Sequence, residues 1–212
     1  MNLDLYVITD ETISGGRSHA GIARQAALGG ADVIQLRDKT CSTLELLRTA
    51  RDLRSIIRKS GTLFIVNDRL DVAMASGADG VHFGQDDMRV STARQLAPPG
   101  FIIGVSVGTT GEAMEAERDG ADYLAISPTF STASKYDAGP GRGLDRLREI
   151  RGAVSIPVIA IGGINRGNVR DVIAAGADGV AVISAVVASP DITVAARELK
   201  DLVKECKRSG RR

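Results

Sequence analysis

The chain has 212 residues, 43% hydrophobic and 25% charged, with a formal net charge of +1, an ordinary globular composition with enough length for one good-sized core. The near-neutral balance gives no reason to expect a nucleic-acid groove or an anionic membrane surface, and 3% aromatics without Trp argues against a base-stacking platform. Met1-Asn2-Leu3-Asp4 lacks a leader's basic and apolar segments, no apolar run nears the ~20 residues of a membrane span, and the distant Cys41 and Cys206 fit a reduced cytoplasmic protein without a thiolate metal site.

Eight short apolar, β-branched-rich runs are predicted as strands, at residues 5–8, 33–36, 63–66, 80–83, 102–107, 123–126, 158–161 and 179–183. Helical patterns fall at 19–28, 43–60, 69–76, 91–97, 110–119, 144–151, 165–175 and 192–206. A Gly-Ala-Asp triplet recurs at 30–32, 77–79, 120–122 and 176–178, each time directly before a predicted strand. Its spacings of 47, 43 and 56 residues correspond to two strand–helix units, and its glycine suits the turn out of a helix. Continuous apolar strands alternating with amphipathic helices predict a parallel sheet covered by helices. Eight such units with repeat symmetry favour a closed α/β barrel, the (β/α)8 TIM barrel, over an open doubly wound sheet. The expectation is a single barrel domain over residues 1–212.

In such a barrel the chemistry sits at the C-terminal strand ends. The second strand runs into Gln35-Leu36-Arg37-Asp38-Lys39, where alternation projects Gln35, Arg37 and Lys39 to one side. The third ends at Asn67-Asp68, the fourth at Gly84-Gln85-Asp86-Asp87, and the fifth at Gly104-Val105-Ser106. The sixth ends at Ser127, before a loop over 128–142 rich in Gly, Pro, Ser and Thr. The last two end at Gly162-Gly163 and Ile183-Ser184.

Each end has a chemical reading and a blander one. Gly162-Gly163, followed by a helix start at Ile164-Asn165, and Ile183-Ser184 suit a phosphate cradle of backbone N–H groups; the alternative is a pair of tight turns. Asp68, with Asp87 or its rival Asp86, suits Mg²⁺, which takes one or two carboxylates and completes its shell with water and phosphate. Either aspartate could instead cap a helix. A diphosphate ester carries roughly −3 near neutral pH, which a dication with Arg37, Lys39 and Lys135, set against two aspartates, would balance. Thr132 and Ser134 could serve a second phosphate or simply be solvated. His82, inside the fourth strand, suits a satisfied interior histidine better than a substrate contact. The basic stretch from Lys204 to Arg212 reads as a frayed helix end.

These residues resemble the thiamine phosphate synthase family, across nearly the whole chain. The resemblance is carried by Tyr6-Val7-Ile8-Thr9-Asp10, Gln35-x-Arg37-x-Lys39, Val66-Asn67-Asp68, Gly84-Gln85-x-Asp87, Gly104-Val105-Ser106, the loop to Lys135, Gly162-Gly163 and Ile183-Ser184. It implies a Mg²⁺-dependent transferase that joins an aminopyrimidine methyl diphosphate to the nitrogen of a thiazole phosphate, giving thiamine phosphate and diphosphate. It implies a pyrimidine-diphosphate site of Gln35, Arg37, Lys39, Asn67, Ser106 and Lys135, with Arg37, Lys39, Ser106 and Lys135 catalytic. It further implies metal ligands Asp68 and Asp87, and a thiazole-phosphate site of Thr132, Ser134, Gly163, Ile183 and Ser184. The expected partners are these two small molecules, with no nucleic acid or membrane, and self-association as a homo-oligomer is left open. After Ser106 the family often carries Ala-His-Thr, where this chain has Val107-Gly108-Thr109. A sister family of thiazole tautomerases shares the barrel and is thought to use a histidine near this place, so Gly108 speaks against that alternative. A phosphate-binding barrel without turnover is the other alternative.

Overall fold

The structure, a computed structural model, describes residues 1–131 and 141–210. Eight parallel strands close into a barrel in sequence order: β1 (Leu5–Ile8), β2 (Val33–Leu36), β3 (Leu63–Asn67), β4 (Gly80–Phe83), β5 (Ile102–Val107), β6 (Tyr123–Ile126), β7 (Val158–Ile161) and β8 (Gly179–Val182). The ring is completed by β1 pairing with β8, with Tyr6 opposite Ala181. Around it lie α1 (His19–Leu28), α2 (Thr43–Ile57), α3 (Leu70–Ser76), α4 (Val90–Leu96), α5 (Thr110–Arg118), α6 (Gly143–Ala153), α7 (Val169–Ala174), α8 (Ser184–Val187) and α9 (Ile192–Ser209). The expected TIM barrel is therefore the observed fold. The strands read as mainly apolar runs because one face meets the barrel interior and the other the helices, leaving both buried. No described helix is long and apolar enough to cross a membrane.

The Gly-Ala-Asp repeat does more than end helices. Gly30, Gly77, Gly120 and Gly176 all have positive φ, as the turn reading requires. Each following aspartate then reaches sideways to the first strand of its pair. Asp32 accepts from the Leu5 amide at 2.9 Å, Asp79 from Phe64 at 2.8 Å, Asp122 from Ile103 at 2.7 Å and Asp178 from Val158 at 2.9 Å. A cation from a neighbouring helix meets each carboxylate: Lys200, Arg54, Arg94 and Arg151 respectively. Four equivalent clamps thus hold the N-terminal end of the barrel, opposite the strand ends where chemistry was expected.

Two boundaries differ from the sequence expectation for identifiable reasons. The seventh helix begins at Val169 rather than 165, because the Asn168 and Asn165 side chains fold the intervening residues into a turn. Asn168 Oδ1 accepts from the Asn165 amide at 2.9 Å, and Asn165 Oδ1 from the Gly167 amide at 2.8 Å. At the C-terminus, α9 stays helical through Ser209. Lys207, read as part of a frayed end, instead binds the Asp4 carboxylate and the Asp178 carbonyl.

Candidate functional site

A cavity of about 470 Å³ opens at the C-terminal strand ends. Six of the expected residues line it: Arg37, Lys39, Asn67, Asp68, Asp87 and Ser106. Strand alternation alone does not put Arg37 and Lys39 there, because β2 ends at Leu36. The turn after β2 does. Asp38 accepts from the Thr40 amide and hydroxyl, both at 2.8 Å, and from the Cys41 amide at 3.1 Å. Partial burial would raise the Asp38 carboxyl, but these hydrogen bonds outweigh it and hold the group down at about 2. Arg37 faces Asp10 at 3.9 Å, and Lys39 faces Asp68 at 4.0 Å. Asp10 is a contributor that sequence reasoning did not single out.

Asp68 is the only residue other than glycine with positive φ among the described residues, at 62°. The left-handed region costs an L-residue roughly 1–2 kcal/mol, least for Asp and Asn. The surrounding bonds impose it, since the Asp68 amide reaches the His82 carbonyl at 2.8 Å and the Arg69 amide turns back to the Asn67 carbonyl at 2.7 Å. Its carboxyl is thereby turned toward Asp87. Burial, followed by the facing Asp87 carboxylate, pushes Asp68 up to about 6, with Lys39 and Arg37 opposing the shift. Asp87 itself is anchored by the Gly84 amide at 2.7 Å. A half-buried Asp68 facing the more exposed Asp87 makes a repelling pair that fits a hard dication, which would relieve the repulsion. Asp86 also lines the cavity, but it is Asp87 that faces Asp68.

Gln35 takes a different place from the one expected. It is only 2% exposed, below the cavity, and its Nε2 donates to Tyr6 Oη at 2.8 Å. A buried chain continues from there: Tyr6 Oη to Tyr123 Oη at 3.0 Å, Tyr123 Oη to His82 Nδ1 at 2.9 Å, and His82 Nε2 to Ser106 Oγ at 3.0 Å. Each phenol, the imidazole and the Ser106 hydroxyl can both donate and accept, so the run links the Gln35 amide under the barrel to the Ser106 hydroxyl at the cavity through the two faces of one His82 ring. The interior role favoured for His82 holds, and the same residue also lines the cavity. Desolvation of both tyrosines, fully buried in the barrel, drives their phenols upward and keeps them neutral.

The expected thiazole-phosphate residues are only partly visible. Gly163 follows β7, and Ile183 and Ser184 follow β8, on neighbouring strands outside the lining of the large cavity. The Asn165 amide, expected to serve the cradle, is occupied by Asn168. The glycine pair has a packing role as well. A Cβ on Gly162 would come within 2.6 Å of Pro128 Cβ, and one on Gly163 within 2.8 Å of the Ser131 carbonyl. Thr132, Ser134 and Lys135 lie outside the described residues.

Sequence reasoning also missed Arg142. It lines the cavity, donates from Nε to the Ser127 carbonyl at 3.1 Å and from Nη1 to the Gly108 carbonyl at 3.2 Å. A Cβ on Gly108 would lie 2.3 Å from its Cζ, so the guanidinium occupies the space a side chain at 108 would take.

Comparison with known proteins places the chain among its relatives. The family model described as thiamine monophosphate synthase matches residues 5–186. A thiamine-phosphate synthase from Methanoregula boonei is 64% identical over 211 residues, covering 100% of this chain and 98% of that protein. One from Methanoculleus marisnigri is 61% identical, with 100% of both chains covered. Among solved structures, a thiamine phosphate pyrophosphorylase from Pyrococcus furiosus superposes with a TM-score of 0.89 at 45% identity, covering 96% of each chain. The chain belongs to the thiamine monophosphate synthase family.

Proposed function

We propose that the protein is a transferase that condenses an aminopyrimidine methyl diphosphate with a thiazole phosphate to form thiamine phosphate and diphosphate. The observation that carries this reading is the juxtaposition, in one cavity, of Arg37 and Lys39 with the facing carboxylates Asp68 and Asp87. That set suits a diphosphate better than a single phosphate, since it joins cations to a dication seat. Asp68 and Asp87 would hold Mg²⁺, which when bound supplies neutralisation of charge on the departing diphosphate. Arg37 and Lys39 hold the diphosphate oxygens, and Ser106 donates its proton to one of them. Asn67, at the edge of the same cavity, orients the pyrimidine diphosphate, and Lys135 adds a further cation. Gln35 contributes from beneath, by fixing the hydrogen-bond chain that orients Ser106. Thr132, Ser134, Gly163, Ile183 and Ser184 receive the thiazole phosphate.

An electron-rich aminopyrimidine stabilises the benzyl-like cation that forms as the C–O bond to diphosphate breaks. The thiazole nitrogen then bonds to that carbon. The demand on the protein is alignment and leaving-group stabilisation rather than a strong base, which matches a cavity of cations, carboxylates and hydroxyls. The two free cysteines accord with a cytoplasmic location, and self-association is compatible with this site. The deciding assay supplies both substrates with Mg²⁺ and measures thiamine phosphate and diphosphate. Equimolar products, abolished by EDTA and restored by Mg²⁺, are expected. Folded protein that makes no thiamine phosphate would refute the proposal; a thiazole isomer alone would identify a tautomerase.

A further inference from the structure

We infer that Arg142 is a further substrate-binding residue, whose guanidinium contacts the diphosphate at the rim formed by β5 and β6, and that Gly108 is the residue that admits it. The inference rests on the proposed diphosphate site. Arg142 stands directly before α6, and its Nε and Nη1 are tied to the carbonyls of Ser127 and Gly108. Two of its five N–H donors are thus spent, and Nη2 has no acceptor among the described residues. The plane of the group is fixed by backbone acceptors on two neighbouring strand ends, and Arg142 lines the cavity that contains Asp68, Asp87, Lys39 and Ser106.

Charge points the same way. Asp68, Asp86, Asp87 and Glu112 line that cavity, and without Arg142 the only cations among its described lining residues are Arg37 and Lys39. Glu112 accepts from the Gly108 amide at 2.7 Å, and among the described residues no ion pair joins it to Arg142. A fork held in one plane with donors to spare is suited to adjacent oxygens of a diphosphate. Gly108 completes the argument. A Cβ there would lie 2.3 Å from Cζ and 2.5 Å from Nη2, so any side chain at 108 must push the guanidinium away. Two residues 34 apart in sequence form one binding element.

The test is titration calorimetry of inorganic diphosphate with Mg²⁺ against wild type, Arg142→Ala, Arg142→Lys, Gly108→Ala and the Gly108→Ala/Arg142→Ala double variant. Loss of charge-assisted hydrogen bonds should weaken binding by ~10-fold or more in Arg142→Ala. Lysine, a point charge without the fork, should restore only part of it. Gly108→Ala should reproduce the loss, since a methyl at 108 displaces the guanidinium from its two carbonyl acceptors, and the double variant should be no worse than either single one. Thermal melts alongside identify any variant that fails to fold, and Arg142→Ala leaves the backbone untouched. Wild-type diphosphate affinity in Arg142→Ala would overturn the inference, as would multiplicative losses in the double variant. Diphosphate binding needs no turnover, so the outcomes separate. Arg142-dependent binding without thiamine phosphate formation would refute the proposed function alone. Normal catalysis with Arg142-independent binding would refute only this inference.

Discussion

Asp38 is the hinge on which the two cations of the β2 turn are aimed. Its carboxylate is flanked by Arg37 and Lys39 in sequence, yet its acceptors go to Thr40 and Cys41, with His19 Nε2 3.6 Å away. Because its folded value lies near 2, below the 3.8 of the unconstrained group, the ionised form stabilises the fold. That contribution is complete above about pH 4 and disappears as pH falls through about 2. Asp38→Asn keeps an acceptor oxygen and loses the charge. Its melting temperature should lie below wild type at neutral pH, with the gap narrowing only at the acid end of a pH series of thermal melts. A constant gap across the series would show that the charge is not what holds the turn.

At the scale of elements, the repeat that first revealed the architecture also supplies its braces. In each clamp a helix supplies the cation, the residue directly before an even-numbered strand the aspartate, and the preceding odd-numbered strand the amide. Asp79→Ala would orphan the buried Phe64 amide and release Arg54. The expected cost is about 1–3 kcal/mol, read from urea denaturation, with turnover unchanged because the clamp lies at the barrel end remote from the cavity. Loss of activity at full occupancy of the native state would contradict that separation. The repeat was legible in sequence as punctuation, and the strands were legible because burial on both faces leaves mainly apolar runs. The reach of Asp79 to Phe64 was not, since no local pattern couples residues 15 apart on different strands. The start of α7 was missed for the opposite reason: Asn165 and Asn168 have local alternatives to the helix, and a helical period does not register them. The same limits governed the site. Arg37, Lys39, Asn67, Asp68, Asp87 and Ser106 stood out as polar letters at apolar strand ends. Arg142 opposite Gly108, and Gln35 turned beneath the cavity, depend on packing that only the closed barrel creates.

For the whole molecule, the clamps are alike in chemistry and unlike in connectivity. Three join neighbours in sequence: Arg54 with Asp79, Arg94 with Asp122, and Arg151 with Asp178. The fourth ties Lys200 of α9 to Asp32 and, through it, to Leu5, across 168 residues. Loop-closure entropy rises by only about 0.6 kcal/mol per doubling of length, yet it falls entirely on that one junction. In native-state hydrogen exchange the Leu5 amide should therefore open at a lower free energy than the amides of Phe64, Ile103 and Val158, and equal values for all four would rule this out. The barrel is in this sense a bracelet with three soldered links and one clasp, and the Leu5 proton tells when the clasp is undone.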